Sequence, residues 1–128
     1  MQVAELMLRD VTLVPAEDSV QSAARAMADL DGRFILVGAG DQVVGILTVR
    51  DIVIRLVAAG LDPGATPVSQ VMSSTLFTCS GEEAPEVVAD RMTEHRIEQM
   101  PVVDATGRLA GVITRRAAES RSPDDRVQ

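Results

Sequence analysis

Tryptophan and tyrosine are absent from this sequence of 128 residues, and two phenylalanines are its only aromatic residues. Lysine is absent as well, so all twelve basic side chains are arginine, which excludes Schiff-base chemistry and a lysine base. The single cysteine, Cys79, has no partner for an internal disulfide. We therefore expect a reducing compartment, the cytoplasm.

Basic residues are also outnumbered by acidic ones, and the formal net charge is −7. This charge opposes binding to DNA or RNA, which depends on neutralising phosphates with a basic surface. No apolar run approaches the roughly 18 residues needed to span a bilayer. The N-terminus shows no basic flank followed by an apolar stretch, as a signal peptide would. We therefore expect neither a nucleic acid nor a membrane as a partner.

Residues for catalysis or metal binding are scarce. His95 is the only histidine, and Cys79 is the only other soft ligand, so no spacing in the sequence is typical of zinc. Neither a nucleophile elbow, nor a Walker loop, nor a dinucleotide-binding glycine motif is present. The acidic cluster of Glu82, Glu83 and Glu86 fits the first turn of a helix, where the helix dipole favours it. The sequence therefore predicts a protein that is not an enzyme and holds no metal.

The most informative feature is an internal repeat. Five residues recur 65 positions later, and after one added residue four more recur at a spacing of 66. The pairs are Val3/Val68, Met7/Met72, Glu17/Glu82, Ala24/Ala89, Met27/Met92, Val37/Val103, Gly45/Gly111, Thr48/Thr114 and Arg50/Arg116. A unit of about 60 residues buries only about 60% of its unfolded surface and is marginal alone. Two such units are expected to share a core and to leave a groove for a ligand.

Both copies predict the same order of elements: an extended piece, a helix, two strands and a helix. We divide the chain into a first repeat (1–60), a linker (61–67), a second repeat (68–119) and a polar tail (120–128) that we expect to be disordered. In the first copy we predict an extended piece at 11–13, a helix after Asp18-Ser19, strands at 34–37 and 43–47, and a helix from Thr48 to Gly60. In the second we predict a helical turn at 68–72, an extended piece at 76–78, a helix at 82–95, strands at 100–103 and 109–113, and a helix from Thr114. Pro101 lacks a backbone donor and should open its strand or lie at an edge.

Three motifs carry a resemblance to a known family. They are Val-x-x-x-Met at 3–7 and 68–72, Val-Pro-x-Glu-Asp-Ser-Val at 14–20, and Gly-Ile-Leu-Thr-Val-Arg-Asp at 45–51. In this order and spacing, the sequence resembles a tandem pair of cystathionine-beta-synthase (CBS) domains, a Bateman module, over roughly residues 1–120. The resemblance implies an α+β fold, in which two β-α-β-β-α repeats pack with pseudo-two-fold symmetry into one module. It also implies a regulatory role, with adenosine-containing ligands bound in the cleft between the repeats and dimerisation in many members.

The ligand signature of that family is Gly-h-x-Thr/Ser-x-x-Asp/Asn, where h is apolar, and residues 45–51 contain it in full. Gly45 allows a ligand to approach the strand backbone, and Thr48 at a helix start favours a phosphate. Asp51 can accept hydrogen bonds from ribose hydroxyls, and Arg50 is placed to approach the phosphate. Thr48-x-x-Asp51 is also a capping-box pattern, an ordinary way to begin a helix, and the sequence leaves both interpretations open.

The second copy departs from the signature. Thr114 is retained, but Ala117 stands where the carboxylate belongs, so we expect one competent cleft or two unequal ones. Arg115 and Arg116 either hold a phosphate or lie on a solvated face. The resemblance implies that residues of the other repeat complete the first repeat's cleft, namely Leu76, Phe77, Thr78, Ile97, Glu98 and Gln99. Phe77 either stacks on a base or belongs to the core.

Two functional hypotheses follow. In the first, the chain is a stand-alone regulatory protein that senses AMP, ADP or ATP, needs no obligatory cofactor, forms a homodimer and acts in trans on an unknown protein partner. In the second, it is a structural or adaptor dimerisation module whose cleft is vestigial. The capping role of Thr48 and Asp51, together with Ala117, favours the second hypothesis, whereas the complete signature favours the first.

Overall fold

The chain divides into two compact units. The computed structural model describes residues 1–29 and 32–120. One unit consists of residues 12–76, here called the first-repeat unit. The other, the second-repeat unit, combines residues 1–11 with residues from 77 onward. The leading segment of each repeat therefore belongs to the unit built around the other repeat. The predicted tail lies outside the described residues beyond Ser120.

The first-repeat unit is a three-stranded sheet with helices. Its elements are β1 (Leu13–Pro15), α1 (Val20–Asp29), β2 (Phe34–Ala39), β3 (Gln42–Thr48), α2 (Val49–Asp51), a π-helical turn (Ile52–Val57) and α3 (Val68–Val71). Strand β1 runs parallel to β2, and β2 is antiparallel to β3. Apolar residues at helical spacing on α1 pack on the inner face of the sheet and on α3. The fully buried members include Val20, Ala23, Val37, Leu47, Val68 and Val71.

The second-repeat unit repeats this arrangement. Its elements are a 3₁₀ turn (Val3–Glu5), β4 (Cys79–Ser80), α4 (Pro85–His95), β5 (Gln99–Val103), β6 (Leu109–Thr114) and α5 (Arg115–Glu119). Strand β4 is parallel to β5, and β5 is antiparallel to β6. The buried core includes Val3, Leu6, Val88, Met92, Met100 and Ile113. The predicted α+β fold with two equivalent repeats is confirmed.

The predicted starts of the two extended pieces and of helix α4 were wrong, and the helix predicted from Thr48 to Gly60 ends at Val57. The extended pieces lie at 13–15 and 79–80 rather than at 11–13 and 76–78, because pairing with the second strand begins only at Leu13↔Leu36 and Cys79↔Val102. Helix α4 begins at Pro85 rather than at Glu82. The residue before a proline is held in the extended region, and Ala84 has φ −73° and ψ 134°.

The position of Pro101 also differs from the prediction that it opens its strand or lies at an edge. It lies inside β5, the central strand of its sheet, where it pairs with Val112 of β6. Strand β4 reaches β5 only at Val102 and Val103, so no β4 residue pairs with Pro101. A central strand tolerates proline here because the neighbouring strand is short.

The segment predicted as a linker, residues 61–67, packs within the first-repeat unit. Its carbonyls accept the first backbone N–H groups of α1, from Val20 to Thr66 (2.9 Å) and from Gln21 to Pro63 (3.1 Å). Thr66 is buried, and its hydroxyl donates to the Asp62 carbonyl at 2.7 Å. The connection therefore caps α1, since the N-terminal N–H groups of a helix have no partner within it.

Candidate functional site

Thr48 and Asp51 lie where β3 passes into α2, and they bond to each other's backbone. The Asp51 N–H donates to Thr48 Oγ1 at 3.1 Å, and the Thr48 N–H donates to Asp51 Oδ2 at 2.9 Å. This reciprocal pair is a capping box, with both side chains half-buried. The cap uses one acceptor position of the hydroxyl and one carboxylate oxygen. Within the described part of the chain, the hydroxyl hydrogen of Thr48 and Oδ1 of Asp51 have no partner.

Gly45 is buried, and it packs against Met72 and Ser73 in the leading segment of the second repeat. A Cβ at this position would lie 2.5 Å from Met72 Sδ and 3.0 Å from the Ser73 carbonyl oxygen. Ile46 and Ser73 exchange two backbone hydrogen bonds of 2.9 Å at the same place. Internal packing therefore explains why a residue without a side chain occupies this position. The close approach of a ligand is not needed as an explanation.

The two arginines that follow differ in their roles. Arg50 is exposed in the first turn after Thr48. Arg55, in the π-helical turn, donates to the carbonyls of Val71 (3.3 Å) and Met72 (3.0 Å) at the end of α3. These carbonyls lack partners within α3, so Arg55 serves as its C-terminal cap.

The equivalent position in the second-repeat unit keeps only half of the cap. Thr114 Oγ1 accepts from the Ala117 N–H at 3.2 Å, but Ala117 is buried and offers no carboxylate in return. Arg115 is paired with Glu98 at 2.9 Å, and its N–H donates to the Glu98 carbonyl at 2.8 Å. The candidate residues Glu98 and Gln99 therefore meet the start of α5 directly, since Gln99 also pairs with Thr114 across the hairpin.

The remaining candidate residues lie around the start of β4 and β5. Leu76, which is half-buried, is the last residue of the first-repeat unit, and Phe77 is the first of this segment in the second-repeat unit. Phe77 stacks on His95. Both Phe77 and Ile97 pack against the buried core of this unit. Thr78 is exposed, and its carbonyl accepts from Arg91 at 3.2 Å.

The structure also contains a cavity of about 540 Å³ that the sequence did not indicate. It lies within the second-repeat unit, at the carboxyl ends of β4 and β5. Of the predicted site residues only Thr78 lines it; the others that line it include Arg9, Cys79, Ser80, Glu82, Glu83 and Asp104. Two of its lining residues, Glu82 and Glu83, belong to the acidic cluster that the sequence predicted for the first turn of a helix, whereas α4 begins only at Pro85.

Two carboxyl groups and one thiol of this cavity have shifted pKa values. Hydrogen bonding from Arg91 holds the pKa of Glu83 below its usual range, and bonds from Thr106 and Arg108 lower the pKa of Asp104. Burial raises the pKa of the Cys79 thiol to about 12, so this thiol stays protonated and unreactive near neutral pH. Among the described residues, no cluster of three or more His, Cys, Asp or Glu is suited to a metal ion. None of the helices in the described ranges has the length and apolar character to cross a bilayer.

Comparison with known proteins agrees with this architecture. The uncharacterized protein MK0525 of Methanopyrus kandleri is 31% identical over 113 residues, which are 88% of this chain and 58% of that protein. The crystal structure of Hypoxic Response Protein I, with two coordinated zinc ions, superposes with a TM-score of 0.85 at 27% identity, over 96% of this chain and all of that one. The CBS domain pair of protein MJ0100, in complex with 5-methylthioadenosine and S-adenosyl-L-methionine, superposes with a TM-score of 0.80 at 21% identity over 91% of each chain.

The family model of the CBS domain matches this chain twice, at residues 3–58 and 68–118. The two matches coincide with the two sequence repeats, and each repeat supplies one of the two three-stranded sheets. The chain is a member of the CBS domain family and contains two tandem CBS domains.

Proposed function

We propose that this chain is a regulatory protein that binds an adenosine-containing nucleotide of the AMP, ADP or ATP class and acts on a protein partner in trans. A regulatory role is what CBS domain proteins generally have, and no catalytic constellation was found in the sequence. The free, buried thiol of Cys79 suits a reducing compartment, the cytoplasm.

One observation carries the proposal. The capping box leaves a donor, the Thr48 hydroxyl, and an acceptor, Asp51 Oδ1, on two residues at the start of a helix. A phosphate oxygen accepts from such a hydroxyl, and a ribose hydroxyl donates to such a carboxylate. Capping and ligand binding therefore use different lone pairs and hydrogens of the same two side chains. The complex of the MJ0100 pair shows that this fold can hold adenosine-containing ligands, and it supports the class chosen here.

Self-association is part of the proposal. Four apolar side chains on the segment 49–57 are exposed: Val49 (48%), Val53 (53%), Ile54 (52%) and Val57 (66%). Val49, Val53 and Val57 are four residues apart, so they form a stripe along one side of the segment. Contiguous apolar patches of this kind mark interaction sites. We propose that the stripe pairs with a second copy of the chain in a homodimer.

A thermal-shift panel of AMP, ADP, ATP, NAD and S-adenosylmethionine tests the ligand. We expect at least one nucleotide to raise the melting temperature of the wild-type chain. At 100 times the dissociation constant the added stability is about 2.7 kcal/mol. Asp51→Ala should abolish the shift, and Asp51→Asn, which keeps an acceptor for the Thr48 N–H, should weaken it.

The matched control is Ser19→Ala. Ser19 caps a helix in the same unit by accepting from the Ser22 N–H at 3.1 Å, so its loss lowers stability without touching the proposed ligand residues. The nucleotide-induced shift should survive in Ser19→Ala. A panel in which no nucleotide stabilises the wild-type chain would refute the sensor proposal.

The alternative is an adaptor module without a nucleotide. The observations that favour it are the internal packing around Gly45 and the replacement of the second carboxylate by the buried Ala117. In that case the exposed stripe at 49–57 carries the function alone. The chain would then dimerise normally and show no shift with any nucleotide.

A further inference from the structure

The cavity of the second-repeat unit combines a buried apolar lining with exposed charged side chains. Its volume of about 540 Å³ lies within the range of about 300–1,000 Å³ that is typical of small-molecule sites. Met7 and Cys79 are the buried members of the lining, and Ala4, Val103 and Ala110 are half-buried beside them. A small molecule with an apolar part can therefore cover this surface, and its polar groups can meet the charges around it.

Two of the three carboxylates in the lining already have partners within the protein. Glu83 forms an ion pair with Arg91. Asp104 Oδ1 accepts from the N–H of Thr106 at 2.9 Å and from the N–H of Arg108 at 3.1 Å. These two negative charges are compensated by the fold, so they do not call for a ligand.

The other two charges of the lining, on Glu82 and Arg9, have opposite signs and are not paired. Within the described residues, the Glu82 carboxylate has no partner, and the Arg9 guanidinium makes one hydrogen bond, to the Ala4 carbonyl at 3.1 Å. The N–H of the same Ala4 donates at 2.9 Å to the carbonyl of Gly81, the residue before Glu82. The backbone thus brings an unpaired carboxylate and a largely unused guanidinium to one cavity without joining them.

Comparison of the two repeats shows that the fold does not require this arginine. At the repeat spacing of 65 residues, Glu82 corresponds to Glu17, but Arg9 corresponds to Ser74. The first-repeat unit forms the same arrangement of strands and helices with a serine at this position. The combination of a positive and a negative charge is therefore a property of the second-repeat unit and not of the repeat in general.

We propose that this cavity binds a free α-amino acid with an apolar side chain. Arg9 binds the carboxylate of the ligand, since a guanidinium matches a carboxylate with two parallel hydrogen bonds. Glu82 accepts from the ammonium group, and the apolar side chain lies against Met7. The residues of this site belong to the second-repeat unit, whereas Thr48 and Asp51 belong to the first, so the proposal does not depend on a nucleotide.

L-leucine and two analogues test the site in the full chain. 3-Methylbutylamine is leucine without its carboxylate, and 4-methylpentanoate is leucine without its ammonium group. The probe is the backbone amide NMR signal of Gly81, which lies in the lining of the cavity. L-leucine should shift this signal to saturation. Each analogue should bind about fivefold more weakly, the factor that one exposed ion pair corresponds to.

Two variants assign each charge to its group on the ligand. Arg9→Gln should weaken L-leucine binding about fivefold without weakening 3-methylbutylamine, which has no carboxylate to lose a partner. Glu82→Gln should weaken L-leucine to a similar extent without weakening 4-methylpentanoate. The matched control is Glu86→Gln, an exposed position on α4 outside the lining, and it should bind L-leucine as the wild type does. Thermal melting of each variant without ligand separates lost folding from lost binding.

Three results would overturn the proposal. In the first, the Gly81 signal does not move at any L-leucine concentration up to the solubility limit. In the second, L-leucine and both analogues bind equally well, so the two charges contribute nothing. In the third, Glu86→Gln weakens binding as much as Glu82→Gln does, which points to the overall charge and not to the cavity. The nucleotide panel proposed above is read separately, and its outcome does not affect this test.

Discussion

Gly111 lies against the backbone of Leu8, so closely that a Cβ at Gly111 would stand 2.5 Å from the Leu8 carbonyl oxygen. Leu8 and Val112 exchange two backbone hydrogen bonds, of 2.8 and 2.9 Å, at this contact. The equivalent contact in the first-repeat unit joins Gly45 to Ser73. In both units, the recurring glycine therefore allows the leading segment of a repeat to pack closely against a strand.

Gly111→Ala should consequently destabilise the fold. The new methyl group meets a backbone oxygen, which cannot move without breaking the Leu8–Val112 pairing, and overpacking of this kind costs about 1–3 kcal/mol. Urea unfolding, read as the free energy of unfolding, measures the effect. Gly32→Ala is the control, because a Cβ there would have only ordinary contacts, the nearest at 3.5 Å. Equal stability of the two variants would contradict the close contact between Gly111 and the Leu8 carbonyl oxygen.

Acid should weaken the second-repeat unit through Glu83. Its pKa is lowered mainly by the hydrogen bond from Arg91 and, to a smaller extent, by the Ser80 N–H at 2.8 Å. The folded state therefore binds this proton less readily than the unfolded state does. The resulting stabilisation is present above the unfolded pKa of about 4.3 and is lost as the pH falls through the lower, folded pKa.

Glu83→Gln should accordingly flatten the fall in the free energy of unfolding between about pH 5 and pH 3. Urea unfolding at a series of pH values measures that slope. The neighbouring exposed Glu82→Gln provides the comparison and should keep the wild-type profile. A Glu83→Gln profile that falls as steeply as the wild type would refute the role of the Arg91 pair.

Cys79 should make the protein less stable in alkali. Burial raises its pKa to about 12, whereas an unfolded thiol ionises near pH 8.5. Between these values the unfolded state loses a proton that the folded state keeps, so stability is complete below about pH 8.5 and declines above it. Cys79→Ala should show a smaller decline between about pH 8.5 and pH 10.5. The rate of native thiol labelling with a disulfide reagent offers a second check, and fast labelling without unfolding would contradict the buried thiol.

Charge on the exposed stripe should disrupt self-association. Val53→Glu combined with Val57→Glu places two carboxylates on the surface proposed to meet a second copy, and desolvating them on association is costly. Sedimentation equilibrium should report a monomer for this variant at concentrations where the wild type dimerises. Val87→Glu, which is 55% exposed on α4 and outside the stripe, should dimerise as the wild type does. A wild-type chain that is monomeric at high concentration would remove the homodimer from the proposal.

Much of the fold was predictable from local patterns. The hairpins at 34–39 with 42–48 and at 99–103 with 109–114 appear as short apolar runs around glycine-containing turns, and both are present. The helix caps at Ser19, Thr48 and Thr114 follow from side chains that bond to nearby backbone, so adjacent residues suffice to indicate them. The two extended pieces were misplaced, because strand ends depend on where a distant partner begins to pair.

The candidate site was predictable only in part. The signature at 45–51 indicated candidate residues, and the structure added that Thr48 and Asp51 cap each other while retaining a free donor and acceptor. The stack of Phe77 on His95 joins residues 18 positions apart (95 − 77), and no periodicity connects them. The cavity likewise combines residues near the N-terminus with residues between Thr78 and Ala110.

The sequence by itself determined the repeat and the order of its elements, and it indicated the candidate residues, because these depend on side-chain chemistry and spacing along the chain. Only the tertiary structure decided that residues 1–11 pack with the second repeat and residues 68–76 with the first. Backbone hydrogen bonds and the space beside Gly45 and Gly111 select these partners. The local sequence pattern does not specify which distant segment makes these contacts.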